Sequence, residues 1–99
     1  MNKSSVVKIQ SAAEFLMWFR CTLPQPIQAM IRPYLDQPYQ LALNVLDCCS
    51  ETPQTIAEIT EKVKINPETT RQVLKALQNG GVSLTISSTN CWELLEVKK

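Results

Sequence analysis

Ten Lys and Arg residues against nine Asp and Glu in 99 positions leave a formal charge of +1, so no global field draws the chain onto a polyanion. Any nucleic-acid affinity must come from a local patch. With 44% apolar and 19% charged residues, the composition fits a single packed domain spanning 1–99 and excludes a disordered chain.

The four cysteines, Cys21, Cys48, Cys49 and Cys91, have no C-x-x-C spacing, and the chain has no histidine, which argues against a metal site. Cys48 and Cys49 are adjacent and could form a vicinal redox pair, but buried apolar thiols are the expected state. The longest apolar runs, such as Phe15 to Phe19, are too short to span a bilayer. Met1 to Val7 lacks the apolar core of a secretory signal, and the chain is expected in the cytoplasm.

In chain order, Ser11-Ala12-Ala13-Glu14 has the form of a capping box and predicts a helix start, with the helix ending before Pro24. Ala12, Phe15, Leu16, Phe19 and Leu23 fall on one stripe, while Met17, Trp18 and Cys21 occupy another side. Pro26 suits the first position of a short helix through Ile27, Met30 and Ile31 that Pro33 disturbs. From Pro38 to about Cys49 only Gln40, Asn44 and Asp47 are polar at helical spacing, which predicts a central, mostly buried helix.

Ser50 to Pro53 read as a turn. A second capping box, Thr55-Ile56-Ala57-Glu58, opens a short amphipathic helix with Ile56, Ile59 and Val63 on one side. Asn66 caps the next helix, with Pro67 at its first position, Thr70, Val73, Leu74 and Leu77 as its apolar stripe, and Gly80-Gly81 as its stop. Val82 to Ser87 alternates apolar and polar, and Cys91 to Val97 nearly does, with Ser88-Thr89-Asn90 as the turn of a β-hairpin. Its Val82, Leu84, Ile86, Trp92 and Leu94 face is expected to close over the helices, since an isolated hairpin is only marginally stable. The fold class is therefore mainly α with a small β-hairpin, that is, α+β.

The order helix, helix, tight turn, helix, Gly-Gly, hairpin over about 38–97 resembles a winged helix-turn-helix core. Residues 10–36 look like the helical extension that many such domains carry at the N-terminus. Thr55 to Ile59, Ile65 to Thr69 and Val73 to Leu77, closing on Leu77-Gln78-Asn79-Gly80-Gly81-Val82, are similar to small bacterial transcription regulators of the MarR and ArsR kind. Thr60, Lys64 and Thr70 depart from the helix-turn-helix pattern, standing where alanine, the turn glycine and Val or Ile are usual.

The resemblance implies a regulator of double-stranded DNA whose helix 67–79 enters the major groove. Arg71 would pair with guanine and Gln72 with adenine, Lys75 would meet a phosphate, Thr69 shares the exposed side, and Lys62 and Lys64 add phosphate contacts. The hairpin has no Lys or Arg from Leu77 to Val97 and carries Glu93 and Glu96, so a monomer would bind weakly at physiological salt. A homodimer is expected, with Phe15, Met17, Trp18, Phe19 and Cys21 as its contact surface. The alternative is a protein-interaction module with an exposed Trp92 edge and no significant DNA affinity. An enzyme is the weakest class, and no catalytic residue or cofactor is assigned: histidine and glycine-rich phosphate loops are missing, and Glu93 and Glu96 fall on opposite faces of a strand.

Overall fold

In the computed structural model, residues 3–95 are described, and the starts of α5 and α6 follow from local capping rules while the start of α2 does not. Six α-helices carry most of the chain: α1 (Lys3–Ser11), α2 (Ala13–Thr22), α3 (Gln25–Ile31), α4 (Gln37–Glu51), α5 (Ile56–Val63) and α6 (Pro67–Asn79). A 3-10 turn, Arg32–Tyr34, joins α3 to α4, and strands β1 (Leu84–Ile86) and β2 (Trp92–Leu94) follow α6. The architecture is mainly helical with one two-stranded antiparallel sheet. No helix among the described residues is long and apolar enough to cross a membrane.

The exception is the first expected boundary. The chain is already helical when it reaches Ser11, whose hydroxyl donates back to the Lys8 carbonyl at 3.2 Å instead of capping α2, and Ala12 precedes α2 with no side-chain cap. Val6, Ile9, Ala13 and Leu16 continue one apolar stripe across the junction, and Ile9 is completely buried. Burying an isoleucine is worth about 1.5–3 kcal/mol, more than the roughly 1 kcal/mol of a serine cap, so tertiary burial overrides the local signal. Helix α1 packs on α6 and α4, and Ile9, Ala13, Leu16 and Phe19 share one core with Leu43, Leu46, Val73 and Leu74. The N-terminal segment therefore starts earlier than residue 10 and is part of the core, not an appendage to it.

The polar strip of α4 fastens the preceding segment. Gln40 Nε2 donates to the Arg32 and Leu35 carbonyls, both at 2.8 Å, and Asp47 accepts from Arg20 at 3.2 Å and from Arg32 at 2.9 Å. Arg20 also reaches Ser50, and Arg32 reaches Asn44 at 3.4 Å. Gln28, buried in α3, closes the end of α2 by donating to the Arg20 and Leu23 carbonyls. Pro26 and Pro38, the expected first residues, occupy the second positions of α3 and α4, which start one residue earlier, and Ser50 and Glu51 extend α4 instead of forming a turn.

The second capping box forms as expected. Glu58 N–H donates to Thr55 Oγ1 at 3.2 Å, and Thr55 N–H donates to Glu58 Oε1 at 2.9 Å. The backbone N–H of Thr55 and then its hydroxyl hold the Glu58 carboxyl below its ordinary range. A lowered folded-state pKa means that this stabilisation is complete above the unfolded glutamate pKa of about 4.3 and disappears as pH falls through the lower folded value. The acid limb of urea unfolding midpoints against pH should therefore flatten in Glu58→Gln. An unchanged acid limb would remove the capping carboxylate from the account.

At the turn between α5 and α6, Lys64 adopts the left-handed conformation, φ 62°, and Asn66 accepts from Thr69 N–H at 2.7 Å. The departures at Thr60 and Thr70 prove to be one feature: their hydroxyls lie 2.9 Å apart, with Thr70 fully buried and its Oγ1 also 3.2 Å from the Asn66 carbonyl. A hydroxyl pair locks the two helices together. Thr70→Val should cost about 1 kcal/mol of unfolding free energy. Adding Thr60→Ala to it should cost less than the sum of the single changes, and strict additivity in denaturant titrations would dissolve the coupling.

The hairpin pairs Leu84 with Leu94, Thr85 with Glu93 and Ile86 with Trp92. Val82, Leu84, Trp92 and Leu94 are buried as expected, but Ile86 is 45% exposed, because it lies next to the hairpin turn and borders a cleft open to solvent. Gln54, between α4 and α5, pairs with Trp92 as a one-residue third strand, with N–H···O distances of 3.0 and 2.6 Å in the two directions. Glu96 and Val97, expected in the second strand, lie outside the described residues.

Candidate nucleic-acid interface

Helix α6 buries Val73, Leu74, Ala76 and Leu77 and turns Glu68, Arg71 and Lys75 outward, as the 3.6-residue period dictates. Arg71 and Lys75 stand one turn apart on the wall of a cleft of about 500 Å³. Thr55, which caps α5, and the first residues of that helix, Ile56 and Ala57, form the second wall, and Ile86, Asn90 and Trp92 of the hairpin form the third. The Glu58 carboxylate in the capping box offsets the partial positive charge of the α5 N-terminus, so Arg71 and Lys75 supply the positive charge of the cleft. Asn90 holds the rim in a left-handed conformation, φ 61°, and Gln78 ties α6 to β1 by donating to the Leu84 carbonyl at 3.0 Å.

Arg71 is held loosely by Glu68 at 3.4 Å, and both side chains are more than half exposed, a contact worth at most about 0.5 kcal/mol. It can be exchanged for a phosphate or a base edge at little cost. Lys75 pairs with no carboxylate among the described residues.

The structure places the other expected contacts differently. Thr69 is buried, so it does not share the exposed side, and Gln72 is half-buried outside the cleft. Lys62 and Lys64 are exposed but do not line it; Lys62 lies on the side of α5 whose field reaches Cys48 in α4. Thr55, Ile56, Ala57 and Ile86 were not marked as site residues by the sequence, because their own signals are those of a cap, an amphipathic face and a strand. Only the meeting of three elements makes them a surface.

On the expected subunit surface, Phe19 is 1% exposed and belongs to the core, so it is not a contact residue. Met17 is half-buried against the core, and Cys21 is exposed. Phe15 and Trp18 remain 40% and 48% exposed, with Phe15 stacked near Trp18 at 5.9 Å and Tyr39 at 6.5 Å. Trp92, the expected anchor of a protein-interaction edge, is 3% exposed and engaged with Gln54.

Burial pushes the Cys49 thiol up to about 12, with Cys48 beside it adding to the shift, and burial raises Cys48 as well. Neither is a thiolate at neutral pH, which makes them poor redox nucleophiles.

No protein-family model matches the chain, and no curated protein or solved structure matches it.

Proposed function

We propose that this chain is a winged helix-turn-helix DNA-binding regulator, acting as a homodimer, with α6 as its reading helix. The observation that carries the reading is the cleft in which Arg71 and Lys75 of α6 face the N-terminus of α5 and the hairpin tip. The order α4, Gln54 bridge, α5, left-handed turn, α6, hairpin supports it, because that order presents α6 on one side of a scaffold that the hairpin flanks. Arg71 supplies the base contact and Lys75 the phosphate contact; Gln72 extends the reading edge, and Lys62 and Lys64 are accessory cations.

A hairpin that carries Glu93 and no Lys or Arg makes two copies necessary. Few cations per protomer face the duplex, and doubling them doubles the counterions released. Phe15 and Trp18 are the proposed subunit contact, being large aromatic side chains exposed on a helix whose opposite face is already buried.

The test is an anisotropy titration on random-sequence duplex at low salt. Arg71→Ala with Lys75→Ala should weaken binding at least about tenfold and lower the salt slope by roughly one unit for each removed cation per protomer. Phe15→Ser with Trp18→Ser should give a monomer in sedimentation equilibrium and weaken binding with it. An affinity indifferent to the Arg71 and Lys75 changes would end the DNA-binding proposal.

A further inference from the structure

A second cavity, of about 330 Å³, opens between α2 and the turn that leads from α6 into β1. Its size lies at the low end of the roughly 300–1,000 Å³ of small-molecule sites. One wall is apolar and aromatic, from Ala13, Met17 and Trp18; the opposite wall is nearly bare backbone at Gly81, where an added Cβ would meet nothing within 4 Å. Trp18 is 48% exposed, so its indole has surface to offer.

Among the described residues, Glu14 is the only charged side chain in the lining. Its carboxylate is on an exposed residue and makes no ion pair among the described residues. An anion entering the cavity would meet Glu14 with no Lys or Arg in the lining to offset the repulsion. A neutral apolar guest would strip water from the carboxylate and return nothing to it. A hydrophobic cation satisfies both walls: its charge faces Glu14 and the negative face of the Trp18 ring, and its hydrocarbon part covers Met17 and Ala13.

We infer that this cavity is a binding site for a small hydrophobic cation, an aromatic or branched-alkyl ammonium. The inference stands on the lining residues alone and does not depend on DNA binding.

The experiment is a titration of the full chain with benzyltrimethylammonium, followed by backbone amide shifts and indole fluorescence. Saturable binding is expected, with the largest shifts at Glu14, Trp18, Gly81 and Ser83. Glu14→Gln and Trp18→Leu should each weaken it roughly threefold to fivefold while the far-UV spectrum stays that of the parent chain. Benzyl alcohol, with the same ring and no charge, should bind more weakly, and benzoate should not bind. In the proposed dimer Trp18 also meets the partner, so Phe15→Ser, which weakens that contact and spares the cavity, should bind the cation at least as tightly as the parent chain, and loss of the dimer is separable from loss of the site. No saturation below about 10 mM, undiminished binding by Glu14→Gln, or benzoate binding as tightly as the cation would each overturn the proposal.

Discussion

Phe19→Ala is expected to lower the unfolding free energy by about 3–5 kcal/mol, the usual cost of emptying a fully buried phenylalanine site. Phe19 is 1% exposed, within the core that α2 shares with the other helices. A domain of this size has about 5–15 kcal/mol in all, so the variant should sit close to the unfolding transition at room temperature. Its thermal midpoint should drop by roughly 15 °C or more. The informative comparison is Phe15→Ala, four residues earlier on the same helix and 40% exposed. That change should cost about 1 kcal/mol or less of protomer stability and act mainly on self-association. Urea unfolding at several protein concentrations reads both effects. If Phe19→Ala left the protomer as stable as the parent and abolished only the dimer, the placement of Phe19 in the core would be wrong.

Gly80→Ala is the second large effect, expected at about 3 kcal/mol of destabilisation from overpacking. A Cβ at Gly80 would lie 2.3 Å from the Gln10 carbonyl oxygen and 2.5 Å from the Ala13 Cβ, and neither atom is the far end of a flexible side chain. The end of α6 therefore seats directly on the junction of α1 and α2, and making room means moving a helix. Gly80 itself has ordinary right-handed dihedrals, φ −81° and ψ −2°. Were it only a helix stop, alanine would be neutral or would stabilise by about 0.5 kcal/mol through the unfolded state. The sign of the measured change separates the two explanations. Gly81→Ala is the control: it faces open space but has φ +105°, so only backbone strain of about 1–2 kcal/mol is expected.

The same contrast shows where local patterns carried the fold. The second capping box, the Asn66-Pro67 start of α6 and the left-handed turn at Lys64 are short-range chemistry, and each formed where the pattern placed it; the alternating hairpin formed too, with shorter strands and Ile86 exposed. The first capping box has equally good residues and did not form. What decided it was the burial of Ile9 against elements distant in sequence. Likewise the two threonines that depart from the helix-turn-helix pattern are ten positions apart, and their hydroxyl contact has no local signature.

For the candidate interface, helical periodicity was enough to turn Arg71 and Lys75 outward and to place Glu68 beside Arg71. Periodicity could not separate a buried Thr69 from an exposed one, because Thr69 lies at the edge of the apolar stripe and only its neighbours close over it. Nor could it distinguish Phe15 from Phe19, which fall on one stripe in sequence but are 40% and 1% exposed in the fold.

By itself, then, the sequence determined the identity and order of α4, α5, α6 and the hairpin, the caps that open α5 and α6, and the cations that α6 turns outward, because each of these depends on residues within a few positions of one another. The tertiary structure alone decided that α1 exists and joins the core, that Phe19 is interior, that Gly80 is a contact point, and that Thr55 to Ala57 and Ile86 frame a cleft with Arg71 and Lys75. Those outcomes depend on which surfaces are brought together across tens of residues, where burial worth several kcal/mol outweighs local preferences worth about one.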